Sequence, residues 1–188
     1  NYFQSSVIDF DKDRSDRSTY KLLGGSIGFY GSTLNTRQYA TKGYLEKLIA
    51  QVFTGRERFE PGNPQEGYSP SPQERQSWLQ ISYMKEAYHT MGTKFTLGWM
   101  AEALYSSKNF SENYTATMMQ AGEFAPTPHS KLMYNEAFRA NQYVAAGIKP
   151  IYVLNDKFQF RTEFYGFTPI FPIKKNALNK AYYGKAFS

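Results

Sequence analysis

Between residues 94 and 105, one parity is occupied by Phe95, Leu97, Trp99, Ala101, Ala103 and Tyr105. The other parity includes Lys94, Thr96, Gly98 and Glu102. Successive side chains of an extended strand point to opposite faces, so this pattern predicts a strand with one apolar face. Its length exceeds the usual globular strand and suffices for a tilted strand to cross a bilayer. A second alternation runs through 157–168. Phe158, Phe160 and Phe164 share a parity with Thr162, and Lys157, Gln159, Arg161 and Glu163 share the other. Less regular strands are predicted over 19–31, 41–54, 77–88, 114–121 and 143–151, with the start of another at Ala181.

Turn-forming residues separate these segments. HTMG (89–92), SSKNFSEN (106–113) and LND (154–156) all read as reversals. Two longer stretches read as loops: 55–76, rich in Pro, Gly and charge, and 122–137. About eight strands result, with no internal repeat, and the alternation is still running at the last residues. An open meander of this kind leaves two unpaired edges, so the expected architecture is part of a larger closed barrel. In the orientation that the family resemblance described below implies, alternate counting of these strands sends 55–76 to the periplasmic end, where barrel turns are short. Either a short strand lies inside that segment or one strand assignment is wrong.

Composition narrows the class. Apolar residues make up 41% of the chain and aromatics 18%, with sixteen Tyr and fifteen Phe. That balance suits sheets with one apolar and one wet face. A mean hydropathy of -0.59 and the absence of a long apolar run exclude a membrane-spanning helix. Barrel strands escape such averages, because each is only half apolar. The net charge is +6, but its 22 basic and 16 acidic residues are interspersed, so no nucleic-acid partner is expected. Without cysteine there is neither a disulfide framework nor a thiolate metal site.

Catalytic signals are thin. Gly24, Ser26 and Gly28 spell the G-x-S-x-G of a hydrolase nucleophile elbow, which needs a helix after the serine. The run after Ser26, IGFYGSTLN, has no helical face. Of the two histidines, His89 and His129, neither comes after Asp156 as the acid-then-His order requires. Ser26 is therefore read as a strand residue facing a lumen, among glycines that relieve crowding. Asp9, Asp11, Asp13 and Asp16 lack the glycine and terminal Glu of a calcium loop and alternate with basic residues. The sequons at Asn109 and Asn113 matter only in a eukaryotic secretory protein. No cofactor, metal or catalytic residue is assigned.

Three runs carry a resemblance. STLNTRQYATKGYLEKL (32–48) resembles a strand-and-turn segment of the BamA-type outer-membrane barrel superfamily. FAPTPHSKLMYNEAFRANQYVAAGIKPI (124–151) and FQFRTEFYGFTPI (158–170) resemble the C-terminal barrel of patatin-like phospholipases of the Bacteroidetes group. The likeness extends from about Thr19 onward and touches the barrel alone, not the lipase. It implies a sixteen-stranded barrel in the bacterial outer membrane, of which this single segment supplies about seven or eight strands. The fold class expected is thus all-β, an antiparallel transmembrane β-barrel in part. Phe95, Leu97, Trp99, Phe158, Phe160 and Phe164 would face lipid, and Gln159 and Arg161 the lumen.

The family also threads a long outer loop into its lumen on a hydrophobic-Arg-Gly-aromatic motif whose Arg bonds the inner wall. Phe138 and Arg139 match the first two positions, while Ala140 and Asn141 depart from the last two. The resemblance then implies a structural pair between Arg139 and Glu163. Its partners would be outer-membrane lipid, the rest of the barrel, a passenger or periplasmic domain, and further copies or a larger membrane complex. The function implied is a membrane anchor or translocation barrel for a passenger lipase. Alternatives are a barrel that assembles or exports other proteins, and a soluble β-sandwich binding acidic ligands.

Overall fold

The computed structural model describes residues 2–3, 16–60, 62, 74–155 and 158–186. In chain order its elements are β1 (Tyr2–Phe3), β2 (Asp16–Ser32), β3 (Gly43–Glu60), β4 (Glu74–Met91), β5 (Phe95–Ser106) and α1 (Tyr114–Gln120). These are followed by β6 (Gly122–Glu123), β7 (Arg139–Ala140), β8 (Gln142–Asn155), β9 (Phe158–Arg161), β10 (Phe164–Pro169), β11 (Ile173–Lys175) and β12 (Ala181–Tyr183). One antiparallel sheet dominates, in the order β1-β2-β3-β4-β5-β8-β10, with β9 also paired to β8. The chain is all-β, as its alternation predicts. Among the described residues the sheet is open, and no closed barrel is found.

The two faces of this sheet differ in chemistry. The register aligns Leu48, Tyr83 and Ala103 on one face, and Phe53 with Trp78 or Met84 with Glu102 on the other. The first face is bare: Leu23, Ile27, Phe29, Val52, Ile148 and Phe164 are all exposed there, Ile27 by 78%. The second is covered from β4 to β10, because 107–141 and 33–42 fold back over it. Met100, Leu104, Tyr143 and Ala145 from the sheet form one core with Phe124 and Ala140 from the covering segment.

The apolar run of the bare face is Leu48, Ala50 and Val52 on β3, Leu79, Ile81 and Tyr83 on β4, Leu97 to Ala103 on β5, and Val144, Ala146 and Ile148 on β8. The runs on β3 and β4 lie directly opposite, as do those on β5 and β8. Between β4 and β5 the run steps along the sheet: Tyr83 meets Ala103, and Ile81 meets Tyr105 just beyond it.

Four sequence expectations are corrected. The segment 114–121 is not a strand but helix α1. Asn113 caps it, its side chain accepting from the N–H of Ala116 at 2.7 Å. Its buried residues are Tyr114, Ala116, Thr117 and Met118, and with buried Ala121 at the C-cap the set Tyr114, Thr117, Met118 and Ala121 has helical spacing. The segment 55–76 is strand at both ends, since β3 reaches Glu60 and β4 begins at Glu74. Removing the extra strand at 114–121 puts the β3–β4 connection and the 107–141 segment at the same end of the sheet, which dissolves the conflict in the alternate count.

The expected strand over 157–168 is interrupted at Thr162 and Glu163, although β9 and β10 keep one register against β8. Pro150 is the reason. Its carbonyl accepts from the Thr162 N–H at 3.1 Å, but it has no N–H to return. Finally, the strand expected from Ala181 does form, as β12, and only its place is corrected: it pairs with β11 in a separate two-stranded sheet packed on α1 instead of joining the main sheet. Asp9, Asp11, Asp13, Asp156, Lys157 and most of 61–73 lie outside the described residues.

Candidate functional site

The covered face gathers charge where a soluble core would hold apolar side chains. Lys149 on β8 donates to Glu86 on β4 at 2.7 Å, with only 5% and 16% of the two side chains exposed. The Tyr88 hydroxyl donates to the same Glu86 carboxylate. Arg161 on β9 donates through Nη2 to the Tyr88 hydroxyl at 2.9 Å and through Nε to Glu163 at 2.6 Å. The Tyr165 hydroxyl donates to the second oxygen of Glu163 at 2.6 Å. Two cations and two anions thus form one continuous chain of charge-assisted bonds, balanced in formal charge.

Glycines make room for it. A Cβ on Gly98 would lie 2.5 Å from the Tyr88 ring, and one on Gly147 would lie 2.4 Å from the Tyr165 ring. Each tyrosine lies flat over a glycine of the neighbouring strand and so extends its hydroxyl along the sheet. Arg161 and Tyr88 sit three strand spacings apart, about 14 Å along a sheet. Long side chains laid along the sheet span these gaps and join Arg161 to Tyr88 and Lys149 to Glu86.

The network also fastens a loop. Arg161 Nη1 donates to the Ala40 carbonyl at 2.9 Å. Tyr39, with a left-handed φ of 56°, turns that carbonyl inward and sets its own ring 5.8 Å from the guanidinium. Asn35 braces the same loop by accepting from the N–H groups of Thr41 and Lys42.

Toward the opposite end, 107–141 does the covering. The Tyr143 hydroxyl donates to Glu102 at 2.5 Å, and Phe124 packs on Tyr143, Tyr165 and Phe167. Lys108 is buried against Trp78, 4.8 Å from its ring centroid, with Tyr20 and Glu57 nearby. Burial lowers its ammonium to a pKa of about 8, and Glu57 opposes that shift.

The expected Arg139 to Glu163 pair does not form. Arg139 donates to Glu123 at 2.6 Å and to the carbonyls of Met118, Met119 and Ala121, the unpaired acceptors at the end of α1. A guanidinium there satisfies the helix C-terminus and opposes its dipole. Glu163 is taken by Arg161, two residues away on the same face. Arg139 therefore orders the covering segment from within instead of docking it to the wall.

Known proteins add no constraint: no family model, curated protein or solved structure matches this chain.

Phe158, Phe160 and Phe164 are exposed on the bare face, and Phe95, Leu97 and Trp99 are half-buried there among neighbours. Gln159 and Arg161 share the covered face, Gln159 exposed and Arg161 half-buried. Ser26 lies mid-strand on β2 opposite Gln51, and the strand continues to Ser32, so neither an elbow nor a helix comes after it. His89 and His129 are exposed and far apart in the chain. Among the described residues no cluster of three metal-ligating side chains forms. Every charged group of the network is partnered within it, which ties β4, β8, β9 and β10 together. Sequence reasoning missed Glu86, Tyr88 and Lys149, whose signal was a charge inside each otherwise apolar run.

Proposed function

We propose that this chain is the outer-membrane β-barrel portion of a BamA-superfamily protein of the patatin-like phospholipase type, serving as membrane anchor or translocation barrel for a passenger domain. One observation carries the reading: the bare face exposes a broad apolar surface whose one internal ion pair among the described residues, Lys85–Glu46, is loose at 3.8 Å, whereas the tight, buried pairs Lys149–Glu86 and Arg161–Glu163 occupy the covered face. In water, this distribution leaves Ile27, Val52 and Phe158 exposed while desolvating Lys149 and Glu86, and both are unfavourable. In a bilayer, the bare face meets hydrocarbon and the network lines a polar interior.

Several further features support it. The apolar band steps along the sheet between β4 and β5. Tyr44, Tyr105 and Tyr152 are exposed on the bare face toward its ends, where aromatic side chains meet headgroups. The turn at 92–94 is short and 33–42 at the same end folds inward, while the two longer connections share the other end, as outer loops do. A soluble sandwich would need a second sheet over the apolar face, and among the described residues none lies there. The passenger assignment rests on the resemblance of 124–151 and 158–170.

Flotation tests the reading. The chain refolded into phosphatidylcholine vesicles is expected to float with them after an alkaline carbonate wash and to need detergent once lipid is removed. A monodisperse monomer in plain buffer would overturn it.

A further inference from the structure

Beyond the apolar band, β2, β3 and β4 run on past the point where β5 ends. The bare face changes character there. Leu23, Val52 and Leu79 give way, through Thr54 and Ser77, to Lys21, Arg56 and Arg75, which lie side by side across three strands. Farther out, Arg58 lies opposite Thr19, and Arg17 opposite Glu60. All five cations are exposed. Among the described residues only Arg58 has an acidic partner, Glu60 at 2.9 Å. Like charges directly opposite on paired strands repel, so a row of three with no counter-ion among the described residues raises the energy of the sheet. A groove of ≈ 240 Å³ runs between Arg17, Lys21, Arg56 and Arg58, with Glu60, the partner of Arg58, also in its wall. A wider one of ≈ 500 Å³ joins Lys21, Arg56 and Arg75 to Leu23 and Thr54. Charge and hydrocarbon-compatible surface therefore share one depression.

We propose that this basic row binds the phosphate group of a membrane lipid of the outer leaflet, whose acyl chains lie along Leu23 and Val52. This rests on the membrane reading and adds a ligand to it. Continuity decides between occupants. A free anion needs only the cations, whereas the wider groove runs from the cations directly onto the apolar band. Arginine forks match phosphate oxygens two at a time, and Lys21 adds a point charge between them. The end of the sheet concerned carries the long connections, so the headgroups it meets are those of the outer leaflet.

The test uses the chain in vesicles. Flotation with phosphatidylcholine vesicles is scored first. Binding is then titrated with a bis-phosphorylated glycolipid, its dephosphorylated counterpart, and inorganic phosphate. Tight binding of the phosphorylated lipid alone is expected. The triple variant Lys21→Gln, Arg56→Gln, Arg75→Gln should bind it at least about tenfold more weakly while floating normally. Arg56→Lys with Arg75→Lys should retain most of the affinity. Removing equal charge at the other end, by Arg37→Gln, Lys42→Gln and Lys94→Gln, should change nothing. Equal binding of the dephosphorylated lipid, equal binding of inorganic phosphate, or equal losses from the two charge removals would overturn the proposal and leave the barrel reading standing. Failure to float would overturn both.

Discussion

Lys149 and Glu86 are the pair most costly to break singly. Each is held in a site that cannot rehydrate it. Lys149→Met should destabilise the fold by about 3–5 kcal/mol because it strands the Glu86 carboxylate. Lys149→Met combined with Glu86→Gln should cost clearly less, and a double-mutant cycle in denaturant read by intrinsic fluorescence measures the difference. Additive losses would mean that the two groups do not depend on each other. Lys108 makes a different prediction. Its folded pKa of about 8 lies below the unfolded value of about 10.4. Between those values the unfolded chain holds more protons, so stability rises with pH; below pH 8 both states are charged and the burial penalty is constant. From pH 8 to 10 the gain should approach about 2 kcal/mol, and Lys108→Met should abolish it. Buried tyrosines such as Tyr114, raised by burial and by Glu136, act in the opposite sense above pH 10, so the window closes there.

At the scale of elements, legibility followed periodicity. The β5 strand and the β9–β10 run were readable because their two parities differ in chemistry. The outer halves of β3 and β4 were not: Arg56, Glu57, Arg58 and Glu60 put charge on both faces, so pairing continues where the apolar signal stops. Helix α1 was missed for the opposite reason. Its Thr and Met residues alternate well enough to imitate a strand, and the decisive features were the Asn113 cap and the spacing of Tyr114, Thr117, Met118 and Ala121. Arg139's partner was mistaken because no periodicity links it to Glu123, 16 residues back. Arg139→Ala should release the end of α1 and the β6–β7 hairpin. Limited proteolysis is expected to cut within 107–141 much faster, with a stability loss of about 2–3 kcal/mol. An unchanged cleavage pattern would show that the segment is ordered by its apolar contacts alone.

For the whole molecule, the open sheet and its two unlike faces form one arrangement. Long side chains laid along the covered face join Arg161 to Tyr88, and on the proposed reading the opposite face meets a medium that does not compete for hydrogen bonds. The chain carries a natural reporter on each face, because it has only two tryptophans. Trp99 lies on the bare face, whereas Trp78 is buried on the other, stacked with Phe53 at 5.1 Å. The most direct measurement compares Trp78→Phe and Trp99→Phe in vesicles with brominated acyl chains, each against unbrominated vesicles. Strong quenching of the protein that keeps Trp99, with little in the one that keeps Trp78, is the predicted result. Quenching of Trp78 alone, or of neither, would place hydrocarbon on the wrong side of the sheet or nowhere at all.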